Sequence, residues 1–299
     1  MDRWIAVDWG TSNLRAWAMQ GRQAGEERVS DDGMGKLAPA EFEGALLRLT
    51  APWLTPGNVT PVMACGMVGA KQGWQEAPYR TLPCVPGDGA ATMAVATHDK
   101  RISVRIAPGL RQDRPADVMR GEETQIAGAL ALLPGFDGVI CLPGTHAKWV
   151  QISAGEVISF QTFMTGEIFA LLSQNSVLRH GMASTDWDEV AFEEGVSVTL
   201  GQPALLSAKL FSLRAEGLLH GMTPAQARSR LSGLLIGAEL AASKPYWLGQ
   251  RVVLVGAKSL QLSYARALAA QGLQAEALDA AACSLAGLTE LHLARKATA

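Results

Sequence analysis

Apolar and polar positions in this chain alternate in short bursts, and the bursts come in an order that repeats. Alternation or short apolar runs mark strands over residues 4–7, 14–19 and 26–30, three in close succession. Residues 39–49 then place Phe42, Ala45, Leu46 and Leu49 at helical spacing. A β-type run over 59–65 ends at Gly66, and a loop with Gly73, Trp74, Pro78 and Tyr79 leads to 82–85. Residues 90–97 read as a short helix, and Ile102, Val104 and Ile106 alternate as in a half-buried strand. A helix over 121–133 opens the second round. Three strands follow over 138–142, 147–152 and 156–160, with helices dominating from 167 to 243. One helix enters at Thr223-Pro224, where a proline loses no useful donor. Gly233 and Gly237, with Leu234, Leu235 and Ile236 between them, mark a packed helix with small residues at its close contacts. A β-branched strand over 251–255, a helix from 259, a strand near 274–278 and a last helix complete the pattern. No sequence repeat accompanies it. The expectation is two related α/β halves with a cleft between them.

Composition sets the bounds. At 299 residues with 48% hydrophobic positions, the chain has material for two cores. A net charge of −2 and a pI near 6.2 argue against a nucleic-acid or anionic-membrane partner. No apolar run reaches the ~18 residues of a membrane span, and the first one meets Asp8 too early for a signal peptide. Cys65, Cys84, Cys141 and Cys283 are scattered without a CxxC, and the five histidines show no metal-ligand spacing. A cytoplasmic enzyme with reduced thiols is the expectation.

Three glycine turns then stand out. Asp8-Trp9-Gly10-Thr11-Ser12-Asn13 joins two strands and carries more oxygen than a hairpin requires. Gly10 admits a ligand close to the backbone, successive amides can form an anion nest, and Thr11, Ser12 and Asn13 add donors. Asp8 suits a magnesium ion that screens phosphate oxygens, or else simply caps the turn. In the second half, Gly144, Thr145, His146 and Lys148 follow another apolar strand, and a third turn at Gly256 opens a helix. Two hairpins of one type, one near the start of each half, are what a clamp on a triphosphate needs. No Walker A motif is present, and Gly87-Asp88-Gly89 is only a fragment of a dinucleotide fingerprint.

DWGTSNLR resembles the first phosphate loop of the actin-like ATPase superfamily, and GTHAKW and VGAKSL fall where its second phosphate loop and adenosine loop belong. Lys258 stands where a small hydroxyl residue is expected. The whole chain is similar to the 2-dehydro-3-deoxygalactonokinase family through DWGTSNLRAW (8–17), GMVGAKQGW (66–74), APY (77–79), DVMRGEETQ (117–125), PGTHAKWVQ (143–151), MTGE (164–167) and SGLLIGAE (232–239). The resemblance implies two ribonuclease H-like domains, divided here as 1–122 and 123–299. It also implies ATP- and Mg²⁺-dependent phosphorylation of the terminal hydroxyl of 2-dehydro-3-deoxy-D-galactonate.

Phosphoryl transfer needs a carboxylate to accept the substrate proton. Glu122 and Glu123 occupy that place by analogy with sugar kinases; otherwise they merely complement a helix N-terminus. Sequence does not separate them. Arg120, Lys71, Arg80 and Lys148 are candidate partners for a sugar-acid carboxylate, and Arg120 and Lys148 also for phosphate. Trp74 and Tyr79 suit the apolar face of a sugar, unless Trp74 fills a core edge. Met67 in the GMVG segment and Arg15 beyond the first turn complete the substrate-side set. Thr165 reads as a helix cap with Glu167 in the first turn. A kinase for a related sugar acid or neutral sugar, and a non-catalytic nucleotide-dependent module, are the competing readings. A homodimer through the helices of the second half is one arrangement left open.

Overall fold

A computed structural model of the chain describes residues 2–297. Its packing separates two compact units. The first runs to Asp137 and takes in Ile152–Ser159 and the segment from Leu278 onward; the second comprises Gly138–Gln151 and Phe160–Ala277.

In the first unit, β1 (Arg3–Trp9), β2 (Leu14–Gln20) and β3 (Gln23–Ser30) form an antiparallel meander, followed by α1 (Phe42–Thr50). β4 (Thr60–Gly66), β5 (Tyr79–Thr81), β6 (Met93–Val95), β7 (Ile102–Ile106), β8 (Gly109–Asp113) and β9 (Ala116–Met119) precede α2 (Glu122–Leu132). The main sheet has the order β3-β2-β1-β4-β7-β6, with β1, β4 and β7 parallel. Strands buried on both faces need apolar residues at consecutive positions, and β1 has them. Ile5, Val7 and Trp9 point into a core with α1, whereas Trp4 and Ala6 share the opposite face with Met63 and Cys65. By the same alternation Asp8 falls on that second face, opposite Cys65 in the register.

Residues 90–97 are not a helix. A single turn at Gly89–Ala91 leads into β6, which pairs antiparallel with β7 and supplies the edge that β7 would otherwise leave open. The β8–β9 hairpin, in a small sheet with β5, went unread because its polar residues are largely exposed and carry no apolar alternation.

The second unit is built on β10 (Gly138–Leu142), β11 (Ala147–Ser153) and β12 (Glu156–Phe163), whose tips at 152–159 pack with the first unit's residues. It continues through α3 (Thr165–Asn175), α4 (Glu189–Gly201), α5 (Leu206–Leu219), α6 (Pro224–Ala242) and α7 (Lys244–Trp247) to β13 (Val252–Gly256), α8 (Lys258–Ala269) and β14 (Glu276–Asp279). Its sheet order, β12-β11-β10-β13-β14, repeats the third-second-first-fourth arrangement of the first, in which β7 and then the edge strand β6 follow β4. The α/β expectation holds, and the pattern repetition has become a structural one. As expected of the 233–237 segment, α4 and α6 cross with backbones nearly touching: a Cβ on Gly233 would lie 2.1 Å from the Phe192 carbonyl.

α9 (Ala280–Ala297) returns to the first unit and covers the Trp4 face of its sheet, where Trp4 stacks on His292 at 4.3 Å. It also crosses α2 without side chains between them. A Cβ on Gly128 would fall 1.8 Å from the Cys283 carbonyl, and one on Gly287 1.9 Å from that of Thr124. Among the described residues, no helix is long and apolar enough to cross a membrane.

Candidate active site

The first turn is held from outside itself. Gly10 N–H donates to Asn13 O at 2.9 Å, leaving Thr11, Ser12 and Asn13 exposed. Beneath them runs a segment the sequence reading passed over. Met34 N–H reaches Gly10 O at 3.0 Å, Gly35 N–H reaches Thr11 O at 2.9 Å, and Trp9 Nε1 donates to Asp32 O at 2.8 Å. Gly33 lies so close that a Cβ there would meet the Ser12 backbone. At the end of β1, Asp8 accepts from Arg15 Nη2 at 2.6 Å, and the Cys65 thiol lies 4.0 Å from its other oxygen.

β4 and the start of α2 reach the same place. Gly66 takes φ +89° with its absent Cβ 2.6 Å from Trp9 O, and Gly121 takes φ +102° against Gly66 Cα, so neither position tolerates a side chain. That passage delivers two acids with different surroundings. Glu123 is 1% exposed and accepts from Gly121 N–H at 2.6 Å and from the Thr124 hydroxyl at 2.8 Å. Burial pushes it up to about 7 against the pull of the Thr124 bond, with the Glu122 charge adding. Glu122 is half-buried and accepts from Arg120 N–H at 3.1 Å. Burial also holds the Cys65 thiol well above its usual range, reinforced by Asp8 and Glu123.

Arg120 folds back over the GMVG loop. Its Nη2 donates to Ala77 O at 2.7 Å, its guanidinium lies 4.4 Å from the Tyr79 ring, and Nη1 occupies the space a Cβ on Gly69 would need. Nε and Nη1 are buried without a hydrogen-bond partner. Met67 opens the short turn of this loop, whereas Trp74 packs with Trp9 and Phe42 as a core edge. Lys71 is exposed, and Arg80 is engaged by Val85 O and Asp88.

In the second unit the turn after β10 exposes Thr145 and His146. Lys148 is buried beneath it, donating to His146 O at 3.1 Å. Gly256 lies against Pro143 at the foot of the same turn, where its Cβ would meet the Pro143 carbonyl at 3.0 Å. Thr165 does not cap α3. The cap position is Met164, and the Thr165 hydroxyl turns inward to Glu239. That buried carboxylate also escaped the sequence reading, since an acid on a helix usually faces water.

With this geometry in place the relatives are informative. The profile of the 2-keto-3-deoxy-galactonokinase family matches residues 8–291. The chain belongs to that family. A probable 2-dehydro-3-deoxygalactonokinase of Rhizobium meliloti is 42% identical over 293 residues, spanning 96% of this chain and 95% of the relative. The Escherichia coli 2-dehydro-3-deoxygalactonokinase is 37% identical, with 97% of each chain covered. The crystal structure of a Sinorhizobium meliloti protein provisionally assigned the same activity superposes with a TM-score of 0.88 at 41% identity, over 97% of this chain and 95% of that one. The galactonokinase assignment makes this chain a sugar-acid kinase, as the motifs implied, and disfavours the non-catalytic module.

Of the residues expected at the site, the first unit brings together Asp8, Arg15, Glu122, Glu123 and Arg120, and the second gathers Gly144, Thr145, His146, Lys148 and Gly256. No cluster of three metal-ligating side chains exists among the described residues. Asp8 alone, with one oxygen on Arg15, fits only an ion that keeps most of its ligands as water and phosphate, as Mg²⁺ does.

Proposed function

We propose that this kinase transfers the γ-phosphoryl group of ATP to the terminal C6 hydroxyl of 2-dehydro-3-deoxy-D-galactonate in the cytoplasm, with Glu122 as the proton acceptor. The reading is carried by the convergence, at the ends of β1 and β4 and the start of α2, of a half-buried carboxylate, a cation with spare donors and a second carboxylate beside the first turn. Glu122 is preferred over Glu123 on access. Both Glu123 oxygens are committed within the fold and its side chain is closed to solvent.

Glu122 takes the proton of the attacking hydroxyl as the new O–P bond forms and the bond to the ADP oxygen breaks. Arg120 is the cation for the substrate carboxylate, because its Nε and Nη1 still lack acceptors. The amides and hydroxyls of the 10–13 turn and of the 144–146 turn serve phosphate oxygens. Asp8 would hold Mg²⁺, which when bound offsets phosphate charge.

ADP release with Mg·ATP, comparing the galactonate acid, its gluconate epimer and neutral hexoses, tests the reaction. Strong preference for the galactonate acid is expected; equal turnover with a neutral hexose overturns the role of Arg120. Glu122→Gln is expected to lower kcat by ~10²–10⁴-fold, and Glu123→Gln much less. The reverse order transfers the role to Glu123.

A further inference from the structure

The SGLLIGAE segment has no part in the chemistry above, yet it ends in a polar hub. Glu239 is 3% exposed on α6 and accepts from Trp149 Nε1 of β11 at 2.8 Å, from the Tyr264 hydroxyl of α8 at 2.7 Å, and from the hydroxyl of Thr165, the first residue of α3. An acid this deep is unfavourable unless its oxygens are satisfied, and an apolar residue would fill the space at less cost. What the acid adds is direction, since three donors from three elements are held to one point.

Two of those donors border the 143–146 turn. Trp149 lies on the strand that leaves it. Thr165 begins the helix laid against it: a Cβ on Gly166 would come within 2.3 Å of the Gly144 carbonyl, and Glu167 N–H donates to Thr145 O at 2.9 Å. The Glu167 carboxylate meets His146 Nε2 at 2.5 Å. The start of α3 is thus fastened to the turn on one side and to Glu239 on the other. The close approach of α6 to α4 fixes where Glu239 stands.

We propose that Glu239 is a positioning residue for nucleotide binding, holding the Gly144–His146 turn in register through the Thr165 hydroxyl. The proposal rests on the reading of that turn as a phosphate site. Thr165→Val removes the link while keeping the shape, Thr165→Ser keeps the hydroxyl, and Glu239→Gln keeps an acceptor for Trp149 and offers its amide to the two hydroxyls.

The measurements are KM for Mg·ATP, KM for the sugar acid, ADP affinity by calorimetry and Tm. Thr165→Val is expected to raise the nucleotide KM and ADP Kd by ~10-fold or more, the size of a hydrogen bond to a charged group. The sugar-acid KM stays near that of the parent, and Thr165→Ser and Glu239→Gln recover most of the loss. A lower Tm with unchanged nucleotide constants in Thr165→Val overturns the proposal and leaves Glu239 a purely structural hub. Thr145→Val separates the two layers. If it leaves nucleotide binding intact, the phosphate reading fails and the proposal with it; if it weakens binding while Thr165→Val does not, the proposal alone fails.

Discussion

Arg15 stands directly opposite Asp8 in the β1–β2 register and closes on its carboxylate at 2.6 Å. Both side chains keep some solvent contact, 33% and 18%, so the pair contributes on the order of 1 kcal/mol or less to stability. Its consequence is for Mg²⁺. A cation on one Asp8 oxygen competes with a metal for the same charge. Arg15→Met should therefore lower the Mg²⁺ concentration giving half-maximal rate, whereas Asp8→Asn should raise it, with little change in Tm. A higher Mg²⁺ requirement in Arg15→Met would mean that Arg15 assists the phosphates instead.

Glu123 makes stability depend on pH. Its folded value of about 7 lies above the ordinary 4.5, so the folded state holds the proton more tightly than the unfolded chain. Stability is full below about pH 4.5, falls as pH rises toward 7, and stays lowered above it, by at most roughly 3 kcal/mol. Glu123→Gln removes this penalty. Relative to the parent, its Tm should improve between pH 5 and pH 8; a constant difference across that range would contradict the buried, raised carboxyl.

Arg120→Lys tests the carboxylate partner. Lysine keeps the charge but loses the fork and the stacking on Tyr79. The sugar-acid KM should rise by ~10-fold or more, as for loss of a charged hydrogen bond, with the Mg·ATP KM near that of the parent. A larger rise for ATP than for the sugar acid would assign Arg120 to phosphate.

Gly128→Ala addresses the α2–α9 crossing. The new methyl would sit 1.8 Å from the Cys283 carbonyl, so the helices must separate. Overpacking of this kind costs about 1–3 kcal/mol or more, seen as a Tm lowered by several degrees. Since α2 begins with Glu122, kcat should fall as well. An unchanged Tm would show that the crossing yields easily.

Legibility in the sequence followed the range of the interactions. The strand-turn-strand at Asp8–Arg15, the turn at Gly144 and the acids at the head of α2 are local patterns, and each was visible in a dozen residues. The division into compact units was less so, because residues from Leu278 onward join the first unit by contacts with β1, β4 and α2 that no local pattern encodes. The same holds at the site. The support of the first turn by Gly33 and Gly35, the thiol of Cys65 beside Asp8, and Glu239 beneath Thr165 all link positions distant in sequence. Thr165 misled because a threonine before a helical run ordinarily caps it. β6 misled because an edge strand of three residues takes its conformation from β7.

The placement of α9 bears on how the protein is made. The buried core of the second unit draws on residues between Val139 and Leu268, all of which precede α9. The Trp4 face of the first sheet, although translated first, stays uncovered until Leu288 and Leu291 arrive. The N-terminal sheet therefore waits for the C-terminal helix to close its second face, and it is the part that a chaperone would have to shield.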